Sequence, residues 1–258
     1  MPEPNKRYSL KSYWDERFKE ETNFEWLCSW DDIRMMVLPY LPASFSRCVI
    51  LGNGSSQLPV SLSREFPQCK VVSTDYSEVA VRNSQEAPFS PSNLEYTVAD
   101  MTDLRGALGG KEWFGSVDVV IDKGALDALV SANGDEWSPS PESLSTSFRL
   151  CQGVHASLRE GGIFLQCSFS QPHFRAQHLL QCRTIPSDSA LPSPHGGRGE
   201  ADDSALEKGC TDDEEWERDL TPHPVTLCRP PVEGSFWTKF EVLNVDRNLG
   251  YFLYICTK

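Results

Sequence analysis

An apolar run, CVILG, leads directly into a turn with glycine at positions 52 and 54. A residue without a Cβ allows tight backbone geometry beside a ligand, so Gly52 and Gly54 mark a candidate binding loop. A dinucleotide-binding turn has a third glycine where this chain has Gln57, which makes close approach of a pyrophosphate less well supported. The spacing favours a ligand without phosphates, although two glycines can also serve nothing more than a strand-to-helix turn.

Two carboxylates follow at later strand ends. Asp75 ends the run KVVSTD, about twenty residues after the glycines, where a carboxylate can accept hydrogen bonds from both hydroxyls of a ribose. Asp100 ends the run LEYTVAD; it could bind an adenine amino group while its apolar neighbour Met101 covers the ring. Strand ends also carry Asp as a helix cap. Ligands of α/β sheets sit beyond the carboxyl ends of the strands, so we expect the glycine turn and both carboxylates to converge there.

Near-continuous apolar runs alternate with helix-like segments after residue 48, which is typical of a parallel sheet covered on both faces. The runs FEVLNVD and YFLYICTK, separated by a polar turn ending in Gly250, predict a closing β-hairpin. The predicted fold is α/β: a doubly wound, mostly parallel seven-stranded sheet with a C-terminal β-hairpin. The predicted strands are 48–52, 70–75, 94–100, 117–122, 162–169, 240–246 and 251–258; the predicted helices are 12–21, 31–40, 56–66, 77–86, 124–131 and 142–158.

The charge balance bears on partners. The chain has 258 residues and a formal net charge of −13, which argues against binding nucleic-acid phosphates, because such surfaces need clustered Lys and Arg. No stretch approaches the ~20 apolar residues of a membrane span. Nine cysteines occur without a CxxC pair and are expected to be reduced thiols rather than disulfides or metal ligands. We expect a soluble cytoplasmic monomer, one domain over residues 1–258, and no metal.

The segment 183–235 differs in kind from the rest of the chain. It is rich in Ser, Pro and Gly and carries twelve Asp and Glu against five Lys and Arg. Such a composition buries too little apolar surface to offset its ordering entropy, so we predict a disordered acidic insertion. The alternative is a tethered acidic contact for a basic substrate.

The segment VDVVIDKGALDAL, residues 117–129, resembles the D/E-K-G-x-x-D-A-L segment of a small methyltransferase group. This group contains the elongation factor 1-alpha lysine methyltransferases and, more distantly, the citrate synthase lysine methyltransferase. The resemblance extends to YWDERF with FEW, to the glycine turn, to TDYSEVAV and to SFSQPHFRAQH, and covers nearly everything except the insertion. It implies a Rossmann-like, S-adenosylmethionine-dependent protein-lysine N-methyltransferase, acting on a protein such as elongation factor 1-alpha.

The resemblance also implies roles for individual residues. N-terminal helices within residues 1–42 would close over the cofactor, using Trp14, Phe18 and Trp26. Aromatic faces can contact a sulfonium cation, although ordinary amphipathic packing is the alternative for the tryptophans. The rest of the cofactor site would consist of Gly52, Gly54, Asp75, Tyr76, Asp100, Met101 and Lys123, with the lysine binding a carboxylate or shaping the pocket.

Methyl transfer from a sulfonium is an in-line displacement, so the protein must position an unprotonated amine and exclude water. A lysine, with a pKa near ~10.4 in solution, must first lose a proton, which an acidic or desolvated channel can assist. We hypothesise that Asp122 and Asp127 orient this amine as catalytic residues. The alternatives are local: Asp122 bonds to backbone at the turn, and Asp127 is an exposed helix residue.

Two other functions remain open from the sequence. An NAD-dependent oxidoreductase shares the glycine turn and the ribose carboxylate, but is disfavoured by the missing third glycine and by the closing hairpin. A catalytically silent module could keep the fold and hold a basic partner through the insertion. His155, His173 and His178 receive no role, because isolated histidines are more often packed or surface residues.

Overall fold

The computed structural model describes residues 6–88, 90–108, 113–131, 134–181, 234–246 and 250–258. Its strands are β1 (Arg47–Leu51), β2 (Lys70–Asp75), β3 (Leu94–Val98), β4 (Val117–Lys123), β5 (Gly134–Asp135), β6 (Ser138–Pro139), β7 (Leu158–Ser168), β8 (Lys239–Asp246) and β9 (Tyr251–Thr257). Its helices are α1 (Lys11–Arg17), α2 (Trp30–Val37), α3 (Leu58–Glu65), α4 (Glu78–Gln85), α5 (Leu104–Ala107), α6 (Ala125–Val130), α7 (Pro141–Ser157) and α8 (Pro172–Leu179).

Seven strands form one sheet in the order β3-β2-β1-β4-β7-β9-β8. The first five run parallel, whereas β9 is antiparallel to both β7 and β8. The predicted mostly parallel seven-stranded sheet with a C-terminal hairpin is therefore confirmed. The order reverses direction at β1, which places the carboxyl ends of β1, β2 and β4 around one crevice, where α/β sheets bind ligands.

The central strands are buried because helices cover both faces of the sheet. Along β1, Val49 and Leu51 face one apolar cluster, whereas Cys48 and Ile50 face a second cluster on the opposite side. Successive side chains of a strand point to opposite faces, so one apolar run supplies both layers. Burying each Val, Leu or Ile contributes roughly 1.5–3 kcal/mol. These layers hold the strand ends of the crevice in place.

The two N-terminal helices are shorter than predicted. Helix α1 ends at Arg17, and α2 begins after Ser29, whose hydroxyl and main-chain N–H form a capping box with Asp32. A 3₁₀ turn over Leu38–Tyr40 follows α2, because Pro39 has no N–H to donate to the preceding turn. Both predicted helices therefore exist, and each begins one residue before its predicted start and ends three or four residues before its predicted end.

The segment between β4 and β8 departs most from the prediction. Helix α7 ends at Ser157 and β7 begins at the next residue, four residues before the predicted start of this strand at 162. The register of β7 against β4 shifts between Val117 and Val119, and Gly161 absorbs a positive φ of 71°. Helices α5 and α8 and the short β5–β6 hairpin were not predicted. The insertion predicted at 183–235 lies outside the described residues up to position 233.

Two sequence expectations concern the chain as a whole. Within the described ranges, no helix combines the length and apolar character needed to cross a bilayer. The described cysteines are free thiols, all of them buried: Cys28, Cys48, Cys69, Cys151, Cys167 and Cys256.

Candidate functional site

A cavity of about 360 Å³ opens at the carboxyl edge of the sheet, within the size range of small-molecule sites. The residues predicted from the sequence and the resemblance meet there with one exception. Those on the lining are Trp14, Phe18, Trp26, Gly52, Gly54, Asp75, Tyr76, Asp100, Met101, Lys123 and Asp127. The exception is Asp122, which lies outside the lining.

The glycine turn is built around close contacts with two helices. Gly52 and Gly54 have φ of 55° and 56°, in the left-handed region that side chains disfavour. A Cβ at Gly52 would lie 2.3 Å from the Cβ of Ala125, and one at Gly54 would lie 2.9 Å from Cζ of Phe18. The turn therefore needs glycine for packing against α6 and α1, as well as for bordering the cavity.

Asp75 ties the turn to the next helix. Its Oδ2 accepts a hydrogen bond from the Gly54 N–H at 2.8 Å, and its Oδ1 accepts one from the Ser77 N–H at 2.8 Å. The N-cap of α4 is Ser77 itself, whose hydroxyl accepts from Ala80. Burial raises the pKa of Asp75, and the two main-chain donors oppose that shift. Each carboxylate oxygen retains a lone pair, so Asp75 can still accept from a ligand hydroxyl.

Asp100 lies just beyond the end of β3. Its Oδ1 accepts from the main-chain N–H and the hydroxyl of Thr102, both at 2.8 Å. The side chain is exposed, whereas neighbouring Met101 is half-buried against the main apolar cluster. An acceptor next to an apolar surface is what an adenine ring with an exocyclic amino group requires.

Aromatic side chains close the N-terminal side of the cavity. Trp14 stacks on Phe18 with ring centroids 5.5 Å apart, and Trp26 contacts Trp14 edge-on at 5.9 Å. The indole N–H of Trp14 donates to the carbonyl of Tyr8 at 2.6 Å, and Tyr8 also borders the cavity. The same aromatic side chains therefore pack against one another and line the cavity. From the sequence, these two roles were alternatives.

Helix α1, which carries Trp14 and has Phe18 as its C-cap, is fastened to α4. Asp15 accepts a hydrogen bond from the Ser77 hydroxyl at 2.6 Å, and the Asn83 amide donates to the Phe18 carbonyl at 2.7 Å. Helix α1, with Trp14 and Phe18, is therefore tied to the element that follows Asp75.

Lys123, the last residue of β4, is committed to protein partners. Its Nζ donates to the Trp26 carbonyl at 2.8 Å and to Oε2 of Glu25 at 2.9 Å, with 5% of its side chain exposed. Glu25 also accepts from the Ser56 hydroxyl and the Gln57 N–H. The lysine therefore shapes the cavity by fixing the loop that carries Trp26 to the glycine turn.

The two aspartates hypothesised to orient an amine differ in position. Asp122 is fully buried and accepts from the main-chain N–H groups of Ala125 and Leu126. Burial, then the Asp127 charge, raises the pKa of Asp122 to about 7. These contacts match its local alternative, backbone bonding at the turn, and place it behind the start of α6.

Asp127 borders the cavity but is not an exposed helix residue. It forms a buried ion pair with Arg175 and accepts from the Ser168 hydroxyl at 2.6 Å and the Phe169 N–H at 3.3 Å. Burial raises the pKa of Asp127, and the guanidinium opposes that shift. The carboxylate therefore joins α6 to α8 and to the end of β7.

Sequence reasoning missed a group of cavity residues beyond Asp127. They come from the β5–β6 turn, the β7–α8 loop and α8, and include Glu136, Phe169, Phe174, Arg175 and His178. The segment SFSQPHFRAQH had been singled out by resemblance alone. Its signal for structure was Pro172, since proline is favoured in the first turn of a helix.

Unpaired polar atoms show that the lining suits a polar ligand. The indole Nε1 of Trp26 and Oδ1 of Asn53 are buried and have no hydrogen-bond partner among the described residues. Buried polar groups are nearly always paired, so such atoms mark places where ligand atoms or ordered water complete the site. Together with the Asp75 acceptor and the aromatic wall, they fit an adenosyl cofactor that carries a cationic group.

Comparison with known proteins supplies independent information. No protein-family profile matches the chain. EEF1A lysine methyltransferase 4 of Mus musculus is 33% identical over 187 residues, covering 71% of this chain and 70% of the relative. Methyltransferase srdJ of Neurospora crassa is 30% identical, covering 68% and 72%. The mitochondrial citrate synthase-lysine N-methyltransferase of Danio rerio is 30% identical, covering 64% and 68%.

Proposed function

The chain belongs to the family of EEF1A lysine methyltransferase 4, and we propose that its acceptor is a lysine side chain of elongation factor 1-alpha. It is an S-adenosylmethionine-dependent protein-lysine methyltransferase. The observation that carries the proposal is the identity of 33% to a relative named for this acceptor, over 70% of that relative's length. The cavity at the sheet edge supports the cofactor site, because the residues implied by the resemblance meet on its lining.

The residues would divide the cofactor between them as follows. Asp75 would accept from the ribose hydroxyls, and Asp100 with Met101 would hold the adenine ring. Trp14, Phe18 and Trp26 would cover the cationic end, since aromatic faces attract cations. The other cofactor-binding residues that we propose are Gly52, Gly54, Tyr76 and Lys123.

When bound, S-adenosylmethionine supplies the methyl group: the bond from this carbon to the sulfonium sulfur breaks as a bond to the amine nitrogen forms, and the sulfur becomes a neutral thioether. The protein's part is to hold the amine in line and to exclude water. The ammonium proton must depart to solvent before the transfer, because the lone pair of nitrogen forms the new bond. We propose that Asp127 positions the amine by fixing the wall of the cavity, and that Asp122 acts behind it through the start of α6.

The remaining proposals concern context. A cytoplasmic location fits a translation factor as the acceptor, and we propose it although one relative is mitochondrial. The net charge of −13 favours a basic protein surface over nucleic acid as partner. We retain a monomeric, single-domain protein, with the acidic segment 183–235 as an insertion and residues 1–42 closing over the cofactor.

Calorimetric titration with S-adenosylmethionine and, separately, NAD tests the cofactor. We expect micromolar binding of S-adenosylmethionine to the wild type and at least tenfold weaker binding to Asp75→Ala. The matched control is Glu95→Ala, an exposed carboxylate on β3 that pairs with Lys70. Binding of NAD alone would mean that the glycine turn had been misinterpreted, and binding of neither ligand would favour the silent module.

Transfer of a radiolabelled methyl group to purified elongation factor 1-alpha tests the acceptor. We expect label on a lysine, located by mass spectrometry, and no label with Asp75→Ala. Tight cofactor binding without labelling of elongation factor 1-alpha would overturn this protein as the acceptor.

A further inference from the structure

The cavity continues past the proposed cofactor residues, toward α8. We call this part the α8 side and define it by Glu136, Phe169, Phe174, Arg175 and His178, which come from the β5–β6 turn, the β7–α8 loop and α8. Neither the sequence nor the resemblance assigns a role to these residues. They lie on the same lining as Asp127, so a ligand here would share the cavity with the cofactor.

Arg175 is an enclosed residue of this side. Its side chain is 2% exposed, and its Nη2 donates to Asp127 and to the Ser168 hydroxyl. Because the guanidinium is enclosed and Asp127 balances its charge, a ligand that enters this side first meets the exposed residues Phe169 and Glu136.

The entrance suits a lysine side chain. Phe169 borders the cavity yet is 52% exposed, and Phe174 is buried beneath Trp137, whose ring meets it edge-on at 4.8 Å. Aromatic faces accommodate the four methylenes of lysine and attract its ammonium group. The exposed carboxylate of Glu136 adds a negative charge at the same entrance.

We propose that the α8 side of the cavity is the subsite for the acceptor lysine. Phe169 and Glu136 receive the side chain at its entrance, and the buried Asp127–Arg175 pair forms part of the same lining. The proposal rests on a protein lysine as acceptor, and it names residues for that role in addition to the cofactor site.

A binding measurement tests the subsite without knowledge of the acceptor protein. Saturation-transfer NMR on the enzyme loaded with S-adenosylhomocysteine would use Nα-acetyl-lysine methylamide as the probe, with the norleucine analogue for comparison. We expect transfer to the lysine side-chain protons in the wild type, and at least about fivefold less for Phe169→Ala, Glu136→Gln or the norleucine analogue. The control is Met35→Ala, which removes an apolar side chain that is 69% exposed on α2. Equal or absent transfer in the wild type and Phe169→Ala overturns the subsite.

Kinetics with elongation factor 1-alpha test the same residues in turnover. We expect Phe169→Ala and Glu136→Gln each to raise KM for the acceptor about fivefold with unchanged affinity for S-adenosylhomocysteine, whereas Met35→Ala should match the wild type. A wild-type KM in both Phe169→Ala and Glu136→Gln overturns the subsite. If the wild type does not label this protein but the probe behaves as expected, the acceptor proposal fails and the subsite stands.

Discussion

Asp127 and Arg175 form an ion pair in which the two side chains are 3% and 2% exposed. The pair joins helix α6, which follows the fourth strand, to helix α8, 48 residues later in the chain. Both partners border the cavity. A contact that stabilises the fold is therefore also a wall of the site, and the two roles must be separated by experiment.

Asp127→Asn should destabilise the protein. Removing one partner of a buried ion pair leaves the other charge unpaired, which costs roughly 3–5 kcal/mol. We expect a loss of about 3 kcal/mol in the free energy of unfolding, measured by urea denaturation. The double variant Asp127→Asn, Arg175→Met should recover part of this loss, because it leaves no unpaired charge. Equal stability of the single variant and the wild type would show that the pair contributes little.

Gly52→Ala should disturb the site through a specific overlap. The new Cβ would lie 2.3 Å from the Ala125 Cβ, in addition to the cost of a side chain at φ 55°. We expect a loss of about 3 kcal/mol or more. Gly115→Ala is the matched control, since it has φ 64° with nothing within 4 Å, and should cost about 1 kcal/mol.

A second-site change tests the cause of that loss. Adding Ala125→Gly to Gly52→Ala removes the atom that the new Cβ meets and should restore at least half of the lost stability. Failure of this double variant to recover, in the same urea experiment, would place the cost elsewhere in the turn.

Lys123→Met should weaken cofactor binding by releasing the loop that carries Trp26. The variant leaves the Trp26 carbonyl without its donor and Glu25 without its cation. The same loop holds Leu27 at an unfavourable φ of 64°, so its conformation depends on such contacts. We expect affinity for S-adenosylhomocysteine to fall about tenfold or more by calorimetry. Lys70→Met, which removes a 54%-exposed ion-pair partner, should leave it unchanged. Unaltered affinity in Lys123→Met would mean that the loop holds its position without the lysine.

The strands and the glycine turn were predictable because their signals are local. Apolar runs such as CVILG are long enough to be recognised alone, and residues at their carboxyl ends meet by the rule for parallel sheets. Asp75 could be identified from its spacing after Gly54 alone, without information from distant parts of the chain. Helix ends were less predictable, because single local features set them. The capping box of Ser29 starts α2, and the 3₁₀ turn that contains Pro39 ends it.

The α8 side of the cavity was not predictable from a single sequence. Arg175 occurs in a polar stretch, SFSQPHFRAQH, where an arginine is normally expected at the surface. Its burial depends on Asp127, which the fold brings to it from a distant position. The same long-range pairing turned Asp127 from the exposed helix residue of its local alternative into a buried one. Phe169 gave no signal either, because a strand-end aromatic residue reads as core.

His178 should make stability fall in mild acid. Burial, and then the Arg175 charge, lower the pKa of His178 to about 4 from an ordinary value of 6.5. Between pH 6.5 and about pH 4, this imidazole is therefore protonated in the unfolded chain but neutral in the native protein. Stability attributable to His178 is present above pH 6.5 and is lost as the pH falls toward 4, by up to about 3 kcal/mol.

Urea unfolding of the wild type and His178→Asn at several pH values isolates this contribution, because the carboxylates titrate in both proteins. The wild type should lose about 3 kcal/mol more than the variant between pH 7 and pH 4. His173→Asn, at an exposed position of the same helix, should follow the wild type. The side chain of Ser147 lies 3.0 Å from the His178 Nδ1 and offers the variant a polar neighbour. Parallel pH curves for the wild type and His178→Asn would show that the imidazole takes up its proton in the native protein near its ordinary pKa, through an opening of the α8 side to water.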